Sequence, residues 1–231
     1  MHYFTFNGTN SYEYGLFVNA VSAFNAPQWN VDTVAVPGRN GDLILSNNRM
    51  NNIVISYEIG ITSDFINKSR DVAAWLLADA SYHTLTNSFD TGHYRTARFY
   101  GDVSYTVNAL YETGKATIYF DCMPQLWLTS GDTAVSFSAD GTITNPTQFD
   151  AKPIIRVYGS GTITINGYEL TVDTSDATSY IDIDCERMQC YEGTTNMNSY
   201  VTVDEFPVLS PGSNTIETSV NIEITPRWWT V

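Results

Sequence analysis

The sequence predicts a mainly β chain: an N-terminal β-sandwich or split-barrel-like domain with one α-helix, followed by a C-terminal β-sandwich. Three observations carry this. Ile53, Ile55, Tyr57, Ile59 and Ile61 recur at strict period two, with Val54, Ser56, Glu58 and Gly60 between them, the pattern of a half-buried strand. Only one stretch, from Phe65 to Ala80, repeats its apolar residues at helical spacing. Beyond residue 128 the chain breaks into short strand-like runs separated by turn residues, with no helical pattern, as in a sandwich.

The elements follow in order. Tyr3 to Phe6 is a short strand closed by Asn7-Gly8, a dipeptide suited to the positive φ angles of a two-residue hairpin. Tyr12 to Val18 reads as a second strand, interrupted by Gly15. Val31 to Val36 alternates and runs into Pro37, which lacks a backbone donor and ends the strand. Ser63-Asp64 offers a helix N-cap. Phe65, Ile66, Ser69, Val72, Ala73, Leu76, Leu77 and Ala80 then form one stripe, so the helix is expected to cover a sheet face, with Trp75 packing at its edge. Tyr82 to Thr86 and Arg95 to Val107 are further strands. Ala116, Ile118, Phe120 and Cys122 alternate with Thr117, Tyr119 and Asp121, and this strand is expected to end at Met123-Pro124.

A Thr-, Ser-, Gly- and Asp-rich stretch follows, which places a domain boundary at Leu128 to Gly131 and gives domains 1–128 and 129–231. In the second domain Asn166-Gly167 marks another hairpin. Ile181, Ile183 and Cys185 are expected to face inward, leaving Asp182, Asp184 and Glu186 on a solvated outer face. Trp228 and Trp229 should point to opposite sides of an ordered final segment.

Composition narrows the function. The formal charge is −14, which repels nucleic-acid phosphates and anionic lipid, so neither stable nucleic-acid binding nor membrane binding is expected. No basic-then-apolar leader and no apolar run of bilayer length is visible. Cys122, Cys185 and Cys190 are too few and too scattered for a disulfide scaffold and are read as buried free thiols.

Catalytic chemistry has little to work with. His2, His83 and His93 lack metal-ligand spacing, and Gly159-Ser160-Gly161 lacks the first glycine of a nucleophile elbow. Asp182, Asp184 and Glu186 could in principle hold a cation, but a solvated strand face is the simpler reading. No enzyme, metal or cofactor is therefore expected. Tyr191, Tyr200, Trp228 and Trp229 keep one alternative open: a carbohydrate-binding β-sandwich protein.

One loop stands apart: Val36-Pro37-Gly38-Arg39-Asn40-Gly41-Asp42-Leu43. Pro37, Gly38, Asn40 and Gly41 make a rigid turn, and Arg39 and Asp42 place one positive and one negative group at its tip. With Phe4-x-Phe6-Asn7-Gly8, Tyr14-Gly15-Leu16, Ile53-x-Ile55-x-Tyr57, Trp75-Leu76-Leu77, Tyr94-Arg95-x-Ala97, Asp121-Cys122-Met123-Pro124-Gln125-Leu126-Trp127, Asn145-Pro146-Thr147, Lys152-Pro153-Ile154-Ile155 and Pro211-Gly212-x-Asn214, it resembles the distal tail protein (Dit) family of long-tailed bacteriophages.

The resemblance covers nearly the whole chain. It implies a structural hub, in which the first domain forms a homo-hexameric ring between the tail tube protein and the tail-tip or baseplate hub protein. It implies a galectin-like second domain outside the ring, able to carry a receptor-binding protein. Assembly in the host cytoplasm, a final place at the virion tail tip and DNA passage through the ring follow from the same resemblance. On this reading Pro37, Gly38, Arg39, Asn40, Gly41 and Asp42 form a ring-interface loop, and Cys122, Met123, Pro124 and Gln125 an interdomain hinge.

Overall fold

The computed structural model describes residues 2–108, 110–177 and 179–231. The chain divides into two compact units, one running up to Leu126 and one spanning Trp127–Thr230.

The first unit contains β1 (Phe4–Phe6), β2 (Thr9–Asn10), β3 (Leu16–Val21), β4 (Trp29–Val34), β5 (Leu43–Met50), β6 (Ile53–Ile61), α1 (Phe65–Leu76), β7 (His83–Asn87), β8 (Asp90–Tyr100), β9 (Tyr105–Val107) and most of β10 (Gly114–Leu128). Its main sheet has the order β2-β1-β7-β8-β10-β6-β3, with β9 also paired to β10. Strands β4 and β5 form a separate two-stranded sheet.

The period-two strand is where the sequence placed it. Ile53, Ile55, Tyr57, Ile59 and Ile61 are all buried, and Ala116, Ile118, Phe120 and Cys122 are buried on the facing strand. Pairing runs from Ile61↔Gly114 to Ile53↔Cys122 without a break. Each inward Ile or Phe contributes roughly 1.5–3 kcal/mol by leaving water. Phe4, Tyr57 and Phe120 meet as a ring cluster, and Trp75 stacks between Tyr14 at 4.7 Å and Phe4 at 5.8 Å.

Several local details differ from the sequence reading, among them the expected Arg95 to Val107 strand, which is split into β8 and β9. Residues 11–14 form a 3₁₀ turn, not a strand, because Asn10 caps it by accepting from the Tyr12 N–H, and Gly15 closes it at φ 67. The helix stops at Leu76, and Ile66 and Leu77 point to solvent, so only Phe65, Val72 and Leu76 are buried along it. Asp64 takes the N-cap position at φ 51 without a capping bond.

The strand expected to end at Met123-Pro124 continues to Leu128. Proline is tolerated there because pairing with β6 has already ended at Cys122, so no donor toward β6 is missing. Cys122, Met123, Pro124 and Gln125 thus lie inside one continuous strand, and the Pro124 carbonyl accepts from Arg95 Nη1 at 2.9 Å.

The second unit is built from β11 (Val135–Phe137), β12 (Gly141–Asn145), β13 (Ile154–Val157), β14 (Gly161–Ile165), β15 (Tyr168–Val172), β16 (Ile181–Asp184), β17 (Gln189–Glu192), β18 (Thr195–Asn196), β19 (Val201–Val203), β20 (Gly212–Thr218), β21 (Ile222–Thr225) and β22 (Trp229–Thr230). Two sheets, β11-β21-β13-β16-β17-β18 and β12-β20-β14-β15-β19, enclose one apolar core. Asn7-Gly8 and Asn166-Gly167 both adopt the paired positive φ angles of tight hairpins. The final segment is tied down: the Arg227 N–H donates to the Gly131 carbonyl at 2.8 Å, Trp228 enters the core, and Trp229 stacks on Phe149 at 4.4 Å.

The outer face of β16 overturns one expectation. Asp182 and Asp184 are not solvated; they are 6% and 3% exposed. Arg156 grips Asp182 with two bonds of 2.7 and 2.9 Å, and Asp184 accepts from Arg227 and from the backbone N–H groups of Glu186 and Arg187. Burial is tolerable because each carboxylate is fully engaged.

Three predictions follow from this packing. Arg156→Ala leaves Asp182 without its cation and should cost roughly 1–3 kcal/mol in urea unfolding, scaled down from a fully buried pair because the guanidinium is half-exposed. Gly131→Ala should lower the melting temperature clearly, because its new Cβ would sit 2.3 Å from the Trp228 backbone nitrogen. Burial pushes the thiols of Cys122 and Cys185 up to about 12 and that of Cys190 to about 11, from an ordinary 9.0. A thiol reagent at mild alkaline pH should therefore find no reactive cysteine in the folded protein and all three after unfolding. The same shifts mean that the stability these groups hold is complete below pH 9.0 and is lost as pH climbs towards 11 to 12.

Candidate functional site

The loop from Pro37 to Asp42 joins β4 to β5 and is exposed throughout. The Arg39 N–H donates to the Val36 carbonyl at 3.2 Å, and Gly38 sits at φ 80. This is a type II turn, with proline at its second position and the glycine it requires at its third. Gly41 takes a second positive φ of 82 before β5 begins. Arg39 and Asp42 form no ion pair with each other or with any other group among the described residues.

The arms of the hairpin are as exposed as its tip. Trp29 is 58% exposed and Ile44 66%, and Val31, Val34, Leu43 and Leu45 are exposed beside them. Phe24, in the segment leading into β4, is 85% exposed. Two-stranded sheets are marginal alone in water, and apolar surface of this extent marks an interaction site. Sequence reading singled out the turn and missed these flanks. The available signal was Leu43-Ile44-Leu45, a continuous apolar run that fits a strand covered on both faces better than a half-buried one.

Hydrogen bonds shape the base of the hairpin. Asn47 Nδ2 donates to Asn30 Oδ1 at 2.6 Å and to Asp32 Oδ2 at 3.3 Å, while Asn30 Nδ2 donates to Asn51 Oδ1 at 2.8 Å. Pairing jumps from Val31↔Ser46 to Trp29↔Met50, so β5 carries a bulge there, with Asn48 at φ 53.

Of the four residues considered for sugar binding, three are engaged within the second unit, and Tyr191 lines an open hollow with Arg187, Gln189 and Asn196. Trp228 is in the core, Trp229 lies on Phe149 and donates to the Asp150 carbonyl, and the Tyr200 hydroxyl bonds to Asp176. The outward positions of the five-stranded sheet hold Thr142, Thr144, Thr162, Thr164, Thr171, Thr202 and Thr215 with Glu169 and Glu217, so that face offers no ring for a sugar to stack on. Among the described residues no group of three or more His, Cys, Asp or Glu side chains is placed to hold a metal.

In the dilute protein the hairpin should be the first segment cut by trypsin, after Arg39 and Arg49, with both compact units surviving the first cleavage. Mass spectrometry of the early fragments checks this.

No protein-family model matches the chain, and no curated protein sequence matches it. Solved structures do. The chain superposes on the SPP1 Dit protein, described as a paradigm of the hub adsorption apparatus in phages infecting Gram-positive hosts, with a TM-score of 0.72 and 14% identity over 100% of both chains. It also matches a chain of the phage p2 baseplate in its activated conformation, with strontium at TM-score 0.53 and 12% identity, and with calcium at 0.52 and 11%; each match covers 97% of both chains. Identities this low speak to architecture, and along its whole length this chain has the fold of a phage distal tail (Dit) hub protein.

Proposed function

We propose that this chain is a non-enzymatic structural subunit of a phage tail tip, a Dit-type hub whose first unit closes into a homo-hexameric ring. The observation that carries the reading is the superposition on the SPP1 hub protein, whose alignment covers 100% of both chains. In this role the ring joins the tail tube protein on one side to the tail-tip or baseplate hub protein on the other. The second unit stands as the galectin-like carrier for other baseplate components, including a receptor-binding protein.

The distribution of surface character supports this division. Most exposed large apolar residues among those described belong to the first unit, where subunit contacts are needed. Of the 25 acidic and 11 basic residues, 14 and 4 fall within Trp127–Thr230, so that unit carries most of the net charge. The first unit is closer to neutral, which lowers the electrostatic cost of bringing copies together. A net negative chain also gives passing DNA nothing to adhere to.

Negative-stain electron microscopy of concentrated protein should show six-fold rings with an open centre. Arg39→Glu or Asp42→Lys should reduce ring formation and leave the circular dichroism of the monomer unchanged. Single subunits at every concentration, alone and with the tail-tip partner present, would defeat the hub reading.

A further inference from the structure

We propose that the β4–β5 hairpin tip of one copy docks into the cleft between β3 and the β9–β10 pair of the next, pairing Asp42 with Lys115 and Arg39 with Glu58. The inference rests on the ring reading above and names the surface that receives the hairpin. A ring needs two different patches on each copy, one presented and one receiving, because the contact runs head to tail.

The receiving patch lies in the first unit. A cleft of about 500 Å³, mostly apolar, is lined by Phe17, Ile61 and Val107 with Asn19 and Lys115. It continues into a second hollow of about 400 Å³ that shares Asn19 and Lys115 and reaches Glu58. Strand β3 ends the order of the main sheet, so the cleft opens beside a free edge.

Charge then fixes who fits. The pairings Lys115↔Gly60 and Thr117↔Glu58 put Lys115 and Glu58 on the same outer face of the sheet as diagonal neighbours. Neither is in an ion pair with any described residue, and the same holds for Arg39 and Asp42. The hairpin tip thus offers apolar Val36, Leu43 and Ile44 flanked by one cation and one anion. The cleft offers apolar walls flanked by one anion and one cation. Seating the tip in the matching sense pairs opposite charges twice, and seating it reversed opposes like charges twice, which selects one orientation.

A charge swap across the contact tests this. Asp42→Lys and Lys115→Glu should each lower the ring fraction about tenfold, and the double variant Asp42→Lys/Lys115→Glu should restore it to within about threefold of the parent. Circular dichroism of each variant guards against misfolding. In parallel, protein carrying Asp42→Cys is mixed with protein carrying Lys115→Cys, since the three native cysteines are buried. Mild oxidation should yield a disulfide-linked heterodimer, and neither variant alone should give it. Parent rings with no rescue in the swap and no heterodimer overturn the docking site while the ring stands. An absence of rings in the parent, with no heterodimer either, overturns both.

Discussion

The first unit depends on one register. Nine consecutive pairings between β6 and β10 fix which side chains face the core, and the strands' period of two makes the choice all or nothing. A slip by one residue would send Ile55, Tyr57 and Ile59 to water and bring Ser56 and Glu58 inside. Other elements depend on that face: Phe4 and Phe6 of β1 pack on Tyr57 and Phe120, and α1 covers the sheet through Phe65, Val72 and Leu76. Gly114 shows how tight the fit is, because a Cβ there would lie 2.4 Å from the Phe65 ring.

The second unit solves a different problem. Its two sheets share an apolar interior rich in Ile and Val, and its two outer faces diverge. One is paved with threonine, a good strand former that needs no partner. The other carries a row of matched charges, Glu223, Arg156 and Asp182, aligned by the pairings Arg156↔Glu223 and Arg156↔Asp182, with Arg156 also lying 4.0 Å over the Tyr180 ring. All four basic residues of this unit are spent on Asp182, Asp184 and Glu186, which leaves the rest of its surface acidic.

Much of this was legible in the sequence because it rests on periodicity and turn chemistry. The β6 and β10 patterns, the two Asn-Gly hairpins, the single helix and the Pro37 turn all follow from local rules. Some misses are local, as where the Asn10 cap and Gly15 turn residues 11–14 into a 3₁₀ turn, and the larger ones depend on partners distant in the chain. Asp182 and Asp184 look like a solvated face until Arg156 and Arg227 arrive from other strands. Pro124 looks like a stop until the extent of β6 is known. The candidate loop was visible as a turn, but its meaning comes from the bare apolar arms beneath it, and burial cannot be read from residues 29–50 alone. The cleft beside β3 had no sequence signature, since Phe17, Ile61 and Val107 come together only when the sheet forms.

The bulge in β5 carries a further consequence. An extended hairpin with open edges and apolar arms is the kind of template from which chains stack into fibres. Here two residues more than the partner strand can match, a left-handed Asn48 and the Asn30–Asn47 clasp bend the ladder before it can present a long flat edge. A straight edge accepts any strand, whereas a bent one accepts only a surface curved to meet it. The backbone geometry of residues 46–50 therefore makes the hairpin a poor template for open-ended strand addition.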